Sequence, residues 1–109
     1  MKRQWTPEEL IEQFTLSDDD IQLLPRRNQV NRLGFAVLLK CFQFNARFPT
    51  SRRGVPKSVV GYLAQQLRIS PKCFREYDWS SRTIERHRAK ILAHYRFQAR
   101  LKRSCHVGQ

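Results

Sequence analysis

Apolar residues recur at helical spacing through residues 31–44, and this is the strongest pattern in the chain. One stripe starts at Leu33 and Val37, and a second starts at Phe35. Two such stripes cover most of a helix in apolar surface, which is typical of a helix that neighbours bury on several sides. The segment is too short, and too charged, to span a membrane. We therefore predict a buried central helix that ends near Arg47.

Gly34 interrupts this apolar pattern within the predicted central helix. A glycine inside a helix costs about 1 kcal/mol relative to alanine. We expect a neighbouring helix to cross closely over the missing side chain at this position.

Polar caps and prolines mark the start of the other helices. Thr6 to Glu9 reads as a capping box, and Ser17 precedes three aspartates that favour the positive end of a helix dipole. Asn28 can cap the central helix, and Pro56 and Pro71 each occupy a first helical position. The other predicted helices cover residues 7–14, 18–24, 57–67, 71–77 and 82–100. We assign residues 1–101 to one helical domain and residues 102–109 to a frayed basic tail.

Residues 57–77 read as two helices joined by a three-residue turn at 68–70. That length matches a helix-turn-helix motif, although tight helical bundles contain similar corners. The predicted fold is therefore all-α: a compact bundle of five or six helices around the central helix, with a helix-turn-helix-like corner.

The charge of the chain is unevenly distributed. The net charge is +12, but residues 1–25 hold two basic and six acidic side chains, whereas residues 26–109 hold nineteen basic and three acidic ones. A surface this basic favours a polyanionic partner, most often nucleic acid. A merely solvated basic surface is the alternative.

The last predicted helix carries the densest basic charge. Between Arg82 and Arg100, only Glu85 is acidic. Exposed helix faces usually mix charge signs, so this composition favours DNA binding. Arginine in the first turns could donate two hydrogen bonds to guanine in the major groove. A helix-turn-helix register would instead place Lys72 and Arg75 there, and we prefer the last helix.

Other basic residues offer contacts to phosphates. Arg52 and Arg53 form a pair in a loop containing proline and glycine, where a phosphate contact and a solvated loop are nearly equal alternatives. His87 is a further candidate in the last helix. The predicted DNA contacts are Arg52, Arg53, Lys57, Lys72, Arg75, Arg82, Thr83, Arg86 and Lys90.

No residue pattern predicts catalysis, a cofactor or a metal. The three cysteines form no paired motif, and the three histidines lack the spacing of a zinc site. The aspartates at 18–20 splay around a helix and are better explained by dipole compensation. We expect no catalytic residue, no small-molecule substrate, no membrane association and no secretory signal, and we expect reduced thiols in a bacterial cytoplasm.

Several blocks of this chain resemble the N-terminal domain of the large replicative transposases of the Tn-three type, over roughly residues 5–100. The ordered series carries the resemblance: FTLS at 14–17, NRLGFAVLL at 31–39, VPKSVV at 55–60, YLAQQL at 62–67 and RTIERHRAKI at 82–91.

The resemblance implies a helical domain that binds double-stranded DNA at the terminal inverted repeats of a transposon. It also implies that catalysis belongs to a distant RNase H-like domain, so the partners would be DNA and the remainder of a transposase or a related full-length copy. A nucleoid-associated location would follow. The alternative is a protein-interaction domain, in which the acidic N-terminal helices bind a basic partner; an RNA-binding bundle is a third reading.

Overall fold

The computed structural model describes residues 4–107, and it describes side chains as far as residue 96. Within these residues, the regular secondary structure is entirely helical, which confirms the all-α prediction. The α-helices are α1 (Pro7–Phe14), α2 (Asp18–Leu23), α3 (Gln29–Asn45), α4 (Lys57–Leu67) and α5 (Arg82–Val107). Two 3₁₀-helices cover Arg52–Gly54 and Pro71–Glu76. None of the helices described is long and apolar enough to cross a membrane.

The chain divides into two compact units. The first runs to Trp79 and contains α1 to α4 with both 3₁₀-helices, and the second begins at Ser80 and contains α5. Helix α5 continues to Val107, past the predicted end at residue 100. The proposed boundary between a domain at 1–101 and a tail at 102–109 remains a prediction.

Side-chain caps start the first three helices as the sequence predicts. The Thr6 hydroxyl accepts a hydrogen bond from the Glu9 amide at 3.2 Å, and the Glu9 carboxylate accepts one from the Thr6 amide at 3.1 Å. Ser17 and Asp20 form the same reciprocal pair, at 3.1 and 3.0 Å. Asn28 caps α3 through its side-chain oxygen, which accepts from two backbone amides. These caps satisfy amide groups that have no partner inside the helix.

Helix α3 is the centre of the first unit. All nine residues from Leu33 to Cys41 are buried. Helix α3 contacts α1, α4 and the second 3₁₀-helix. Burial around the whole helix confirms the central position that the two apolar stripes predict.

The short helix α1 covers less of its apolar surface than its sequence suggests. Phe14 is fully buried, whereas Ile11 is 58% exposed. Leu10 and Phe14 lie four residues apart and share a face, but Ile11 is turned about 100° from Leu10. That rotation takes Ile11 off the packed face, and its side chain stays largely in solvent.

The close approach expected at Gly34 is made by a side chain rather than by a helix. A Cβ atom built on Gly34 would overlap the ring of Tyr77, which follows the second 3₁₀-helix. Tyr77 is buried, and its ring packs with those of Phe74 and Trp79. Gly34 therefore provides the recess in which this aromatic cluster rests on α3.

A polar network built on a buried ion pair joins α2 to α3. Lys40 donates to the Asp20 carboxylate at 3.2 Å and to the Gln43 side chain at 2.6 Å. Gln43 donates to the other Asp20 oxygen at 2.8 Å. Burial raises the pKa of Asp20, but hydrogen bonds from the Ser17 amide and Gln43, with the charge of Lys40, outweigh it and hold that pKa below its usual value. The third aspartate of the triplet thus caps α2 and pairs with Lys40.

The Gln66 side chain on α4 forms hydrogen bonds to the connection between α1 and α2. Its side-chain oxygen accepts from the Leu16 amide at 2.7 Å, and its nitrogen donates to the Phe14 carbonyl at 2.9 Å. Nearby, the hydroxyls of Thr15 and Tyr62 lie 2.9 Å apart. One amide side chain thereby satisfies two backbone groups that no helix can pair.

The replacement Gly34→Ala should destabilise the protein by about 1–3 kcal/mol, the usual cost of overpacking a core. The new methyl group must displace the Tyr77 ring. The loss of stability is measured as the difference in unfolding free energy between wild type and variant, from urea denaturation. Gly61→Ala is the matched control, because Gly61 lies inside α4 with open space around its missing Cβ. That variant should gain up to about 1 kcal/mol from helix propensity. Equal effects at both glycines would contradict the packing explanation.

The replacement Asp20→Asn should cost about 3–5 kcal/mol at neutral pH, because it leaves the buried Lys40 without its counter-charge. The pKa of Asp20 is lowered by folding, so its contribution is present above the unfolded value of about 3.9 and is lost as the pH falls below that range.

The gap in unfolding free energy between wild type and this variant should therefore narrow as urea titrations are moved from about pH 7 towards about pH 3. Asp19→Asn is the control, since Asp19 is exposed in the same helical turn, and it should change stability by less than about 0.5 kcal/mol. A gap that stays constant with pH would contradict a role for the Asp20 charge.

Candidate nucleic-acid interface

The predicted contacts from the first unit converge on one groove. Five of the nine predicted side chains line it, and its volume is about 1430 Å³. They are Arg52, Arg53, Lys57, Lys72 and Arg75. All five are exposed, and none of the residues lining the groove is acidic. The groove is therefore a concentrated positive surface.

Three short elements position these cations. Arg52 and Arg53 belong to the first 3₁₀-helix, and Lys57 is the first residue of α4. Lys72 and Arg75 belong to the second 3₁₀-helix. Side chains three residues apart eclipse one another in a 3₁₀-helix, so Lys72 and Arg75 share one side of it.

The second arm of the helix-turn-helix-like corner differs from the prediction. Residues Pro71–Glu76 form a 3₁₀-helix, where the sequence predicts an α-helix. Ser70 caps it by accepting from the Lys72 amide, and Pro71 stands at the expected position. The start signal was therefore right and the helix type wrong, because caps and prolines do not distinguish the two kinds of helix.

Arg52 connects two parts of the groove lining. Its guanidinium donates to the backbone carbonyl of Arg75 at 3.1 Å. A guanidinium has five N–H donors, so this bond leaves others for a ligand. The contact links the first 3₁₀-helix to the second and helps to fix the spacing of the cations that they carry.

Apolar residues form the rest of the groove, together with two residues from the N-terminal segment. Val60 and Phe74 are nearly buried, and Trp5 is half-buried. The Trp5 ring packs edge-on against Phe14 and Phe44, with centroids 5.0 and 5.1 Å apart. Trp5 and its neighbour Gln4 were missed by the sequence reasoning, since nothing local links them to a loop some fifty residues later.

The remaining predicted contacts lie in the first turns of α5, in the second unit. Arg82, Arg86 and Lys90 are exposed, and Thr83 is half-buried. The three exposed cations are four residues apart and form one stripe along the helix. His87, also considered as a contact, is 9% exposed, and burial together with the nearby Lys90 lowers its pKa to about 4. A buried, neutral histidine does not extend the basic stripe, so that candidate is withdrawn.

The described residues offer no cluster of histidine, cysteine and carboxylate side chains that could hold a metal ion. Asp18 and Asp19 are exposed at the start of α2, while Asp20 points inward to Lys40. Cys41 and Cys73 are free thiols, and burial raises the pKa of Cys41 to about 12, which makes it unreactive. The side chain of Cys105 lies outside the described residues.

Comparison with known proteins shows that the chain is similar to one part of several transposases. Residues 1–104 match the family model described as a domain of unknown function (DUF4158). The transposase for transposon Tn1546 of Enterococcus faecium is 33% identical over 77% of this chain, and that for Tn2501 of Escherichia coli is 32% identical over 83%. The transposase for Tn501 of Pseudomonas aeruginosa is 28% identical over 77%.

The matched regions are a small part of these relatives, because the chain spans 9–10% of their length. No solved structure gave a significant match. The resemblance drawn from the sequence blocks is confirmed: the chain belongs to the DUF4158 family and is related to the N-terminal domain of transposases.

Proposed function

We propose that this chain binds double-stranded DNA and recognises the terminal inverted repeats of a transposon as the N-terminal module of a transposase. It performs no catalysis of its own, and its partners are DNA and the remainder of a transposase or a related full-length copy. The observation that carries the proposal is the groove of the first unit, which five cations line and no acidic residue lines. The similar proteins are transposases of bacterial transposons. The proposed location of this chain is accordingly the bacterial cytoplasm, in association with the nucleoid.

Affinity in this proposal comes mainly from phosphates. Each phosphate that a lysine or arginine neutralises releases counterions, so the logarithm of affinity falls with the logarithm of salt concentration by about 0.9 per contact. The five groove cations would account for a slope of up to about −4.5, and the α5 stripe would add to it.

Specificity is assigned to the first turns of α5. The major groove of B-DNA accepts an α-helix, and an arginine there can donate two hydrogen bonds to guanine O6 and N7. Arg82 and Arg86 lie on one exposed stripe, and the Thr83 hydroxyl beside them can bond to a phosphate or a base edge. The second 3₁₀-helix offers less reading surface, because Phe74 is buried and only Lys72 and Arg75 project as cations.

A protein-interaction role is the second candidate, and the exposed apolar residues of the first unit favour it. Ile11 and Ile21 are 58% and 43% exposed, on the two helices that also expose Glu8, Glu12 and Asp18. A partner with basic and apolar side chains would complement such a surface. Replacing Ile11 and Ile21 by serine would abolish that interaction and leave DNA binding unchanged.

The DNA proposal is tested by fluorescence anisotropy of the chain on a labelled inverted-repeat duplex and on a scrambled duplex, across a range of salt concentrations. The pair Arg82→Ala and Arg86→Ala should reduce the preference for the repeat, by about 1–3 kcal/mol for each arginine that binds a guanine through two hydrogen bonds. The pair Lys57→Ala and Lys72→Ala should weaken binding to both duplexes equally and reduce the salt slope by about 0.9 per residue.

The matched control is the pair Arg27→Ala and Arg47→Ala, which removes the same charge from exposed positions outside the groove. It should leave the salt slope nearly unchanged. If the control weakens binding as much as the groove variant does, net charge alone explains the affinity. If the chain binds neither duplex at low salt, the proposed function is wrong.

A further inference from the structure

The groove of the first unit combines cations with an aromatic and apolar lining that duplex phosphates do not require. Trp5, Val60 and Phe74 line it together with the basic side chains. A DNA duplex presents phosphates on its outside and keeps its bases stacked inside. Duplex backbone would therefore satisfy the cations and leave the indole of Trp5 without a matching surface.

We propose that this groove holds an unpaired stretch of DNA, with phosphates on Arg53, Lys57 and Lys72 and a base stacked on the ring of Trp5. The inference rests on the proposed function, DNA binding, and specifies the form of DNA that enters this groove. A positive groove that tracks the backbone, combined with aromatic rings on which bases stack, is the usual design of proteins that bind single strands. The α5 stripe remains the surface that reads the sequence of a duplex, and on a fully paired duplex the groove cations contact phosphates only.

The Trp5 ring is fixed in its orientation by the protein itself. It packs edge-on against Phe14 and Phe44, at interplanar angles of 89° and 75°. Phe14 is fully buried and belongs to α1, so the aromatic contact is anchored in the core. A ring that is already held in place loses little conformational entropy when a base stacks on it.

The size of the groove fits more than one nucleotide. Its volume of about 1430 Å³ exceeds the roughly 300–1,000 Å³ of pockets that enclose a single small ligand. The cations also come from separate elements, the first 3₁₀-helix, the start of α4 and the second 3₁₀-helix. A chain of successive phosphates can reach all three, whereas a free mononucleotide cannot.

The test compares two labelled single strands of about 12 nucleotides, a length within the range that single-strand grooves cover. One is oligothymidylate, and the other is an abasic strand with the same number of phosphates. Fluorescence anisotropy of the full chain should show about 5- to 150-fold tighter binding of the strand with bases, the effect expected for one stacked base. A duplex of the same length is measured in parallel.

Two variants assign the difference to Trp5. Trp5→Leu should bind both strands with nearly equal affinity, whereas Trp5→Phe should keep part of the preference because it retains a ring. Phe48→Leu is the matched control: Phe48 is half-buried, stacks on Phe42 and does not line the groove, so its replacement should leave the preference intact. Circular dichroism melts establish that each variant is folded.

Equal affinity of the wild-type chain for the two strands would overturn this inference. If duplex binding persists in that case, the proposed function stands and the groove contacts phosphates only. A preference that survives in Trp5→Leu would overturn the assignment to Trp5. Failure to bind the single strands and the duplex alike would overturn both proposals.

Discussion

Burial of α3 around its whole circumference is the constraint on which the first unit depends. Nine consecutive residues of α3 are buried, so other parts of the chain must pack against every side of the helix. Two of the nine, Gly34 and Lys40, are not ordinary core residues and need a particular partner. Gly34 is covered by the ring of Tyr77, and Lys40 by the carboxylate of Asp20. Each of these contacts fixes where a separate piece of chain lies on α3.

The basic groove follows from the same packing. Helix α4 and the second 3₁₀-helix both contact α3, and each holds buried residues that belong to the core. The lysine and arginine side chains of these two elements are exposed, and the charged residues that line the groove are all basic. The hydrogen bond from Arg52 to the Arg75 carbonyl adds the preceding loop to the same surface. The groove is therefore fixed by the core, although its cations are exposed.

Local sequence patterns predicted most of the helices because the interactions that start a helix join residues close together in the chain. Thr6, Ser17 and Asn28 each satisfy amide groups within three residues, so a short stretch of sequence contains both donor and acceptor. The partner of Asp20 lies twenty residues away, and no local rule links it to Lys40. Trp5 likewise enters the groove only through tertiary packing. The sequence could thus identify all five cations that line the groove, but not Trp5 or the buried ion pair.

The positions of the acidic residues help to explain why the positive charge of the first unit is concentrated at the groove. In the first unit, Glu8, Glu9 and the aspartates at 18–20 occupy the first turns of α1 and α2, where they favour the positive ends of the helix dipoles. Glu9 and Asp20 are also engaged by caps, and Asp20 by Lys40. These carboxylates lie at helix starts, and none of them lines the groove. The way the first two helices begin therefore keeps five of the eight acidic residues of the first unit outside the groove lining.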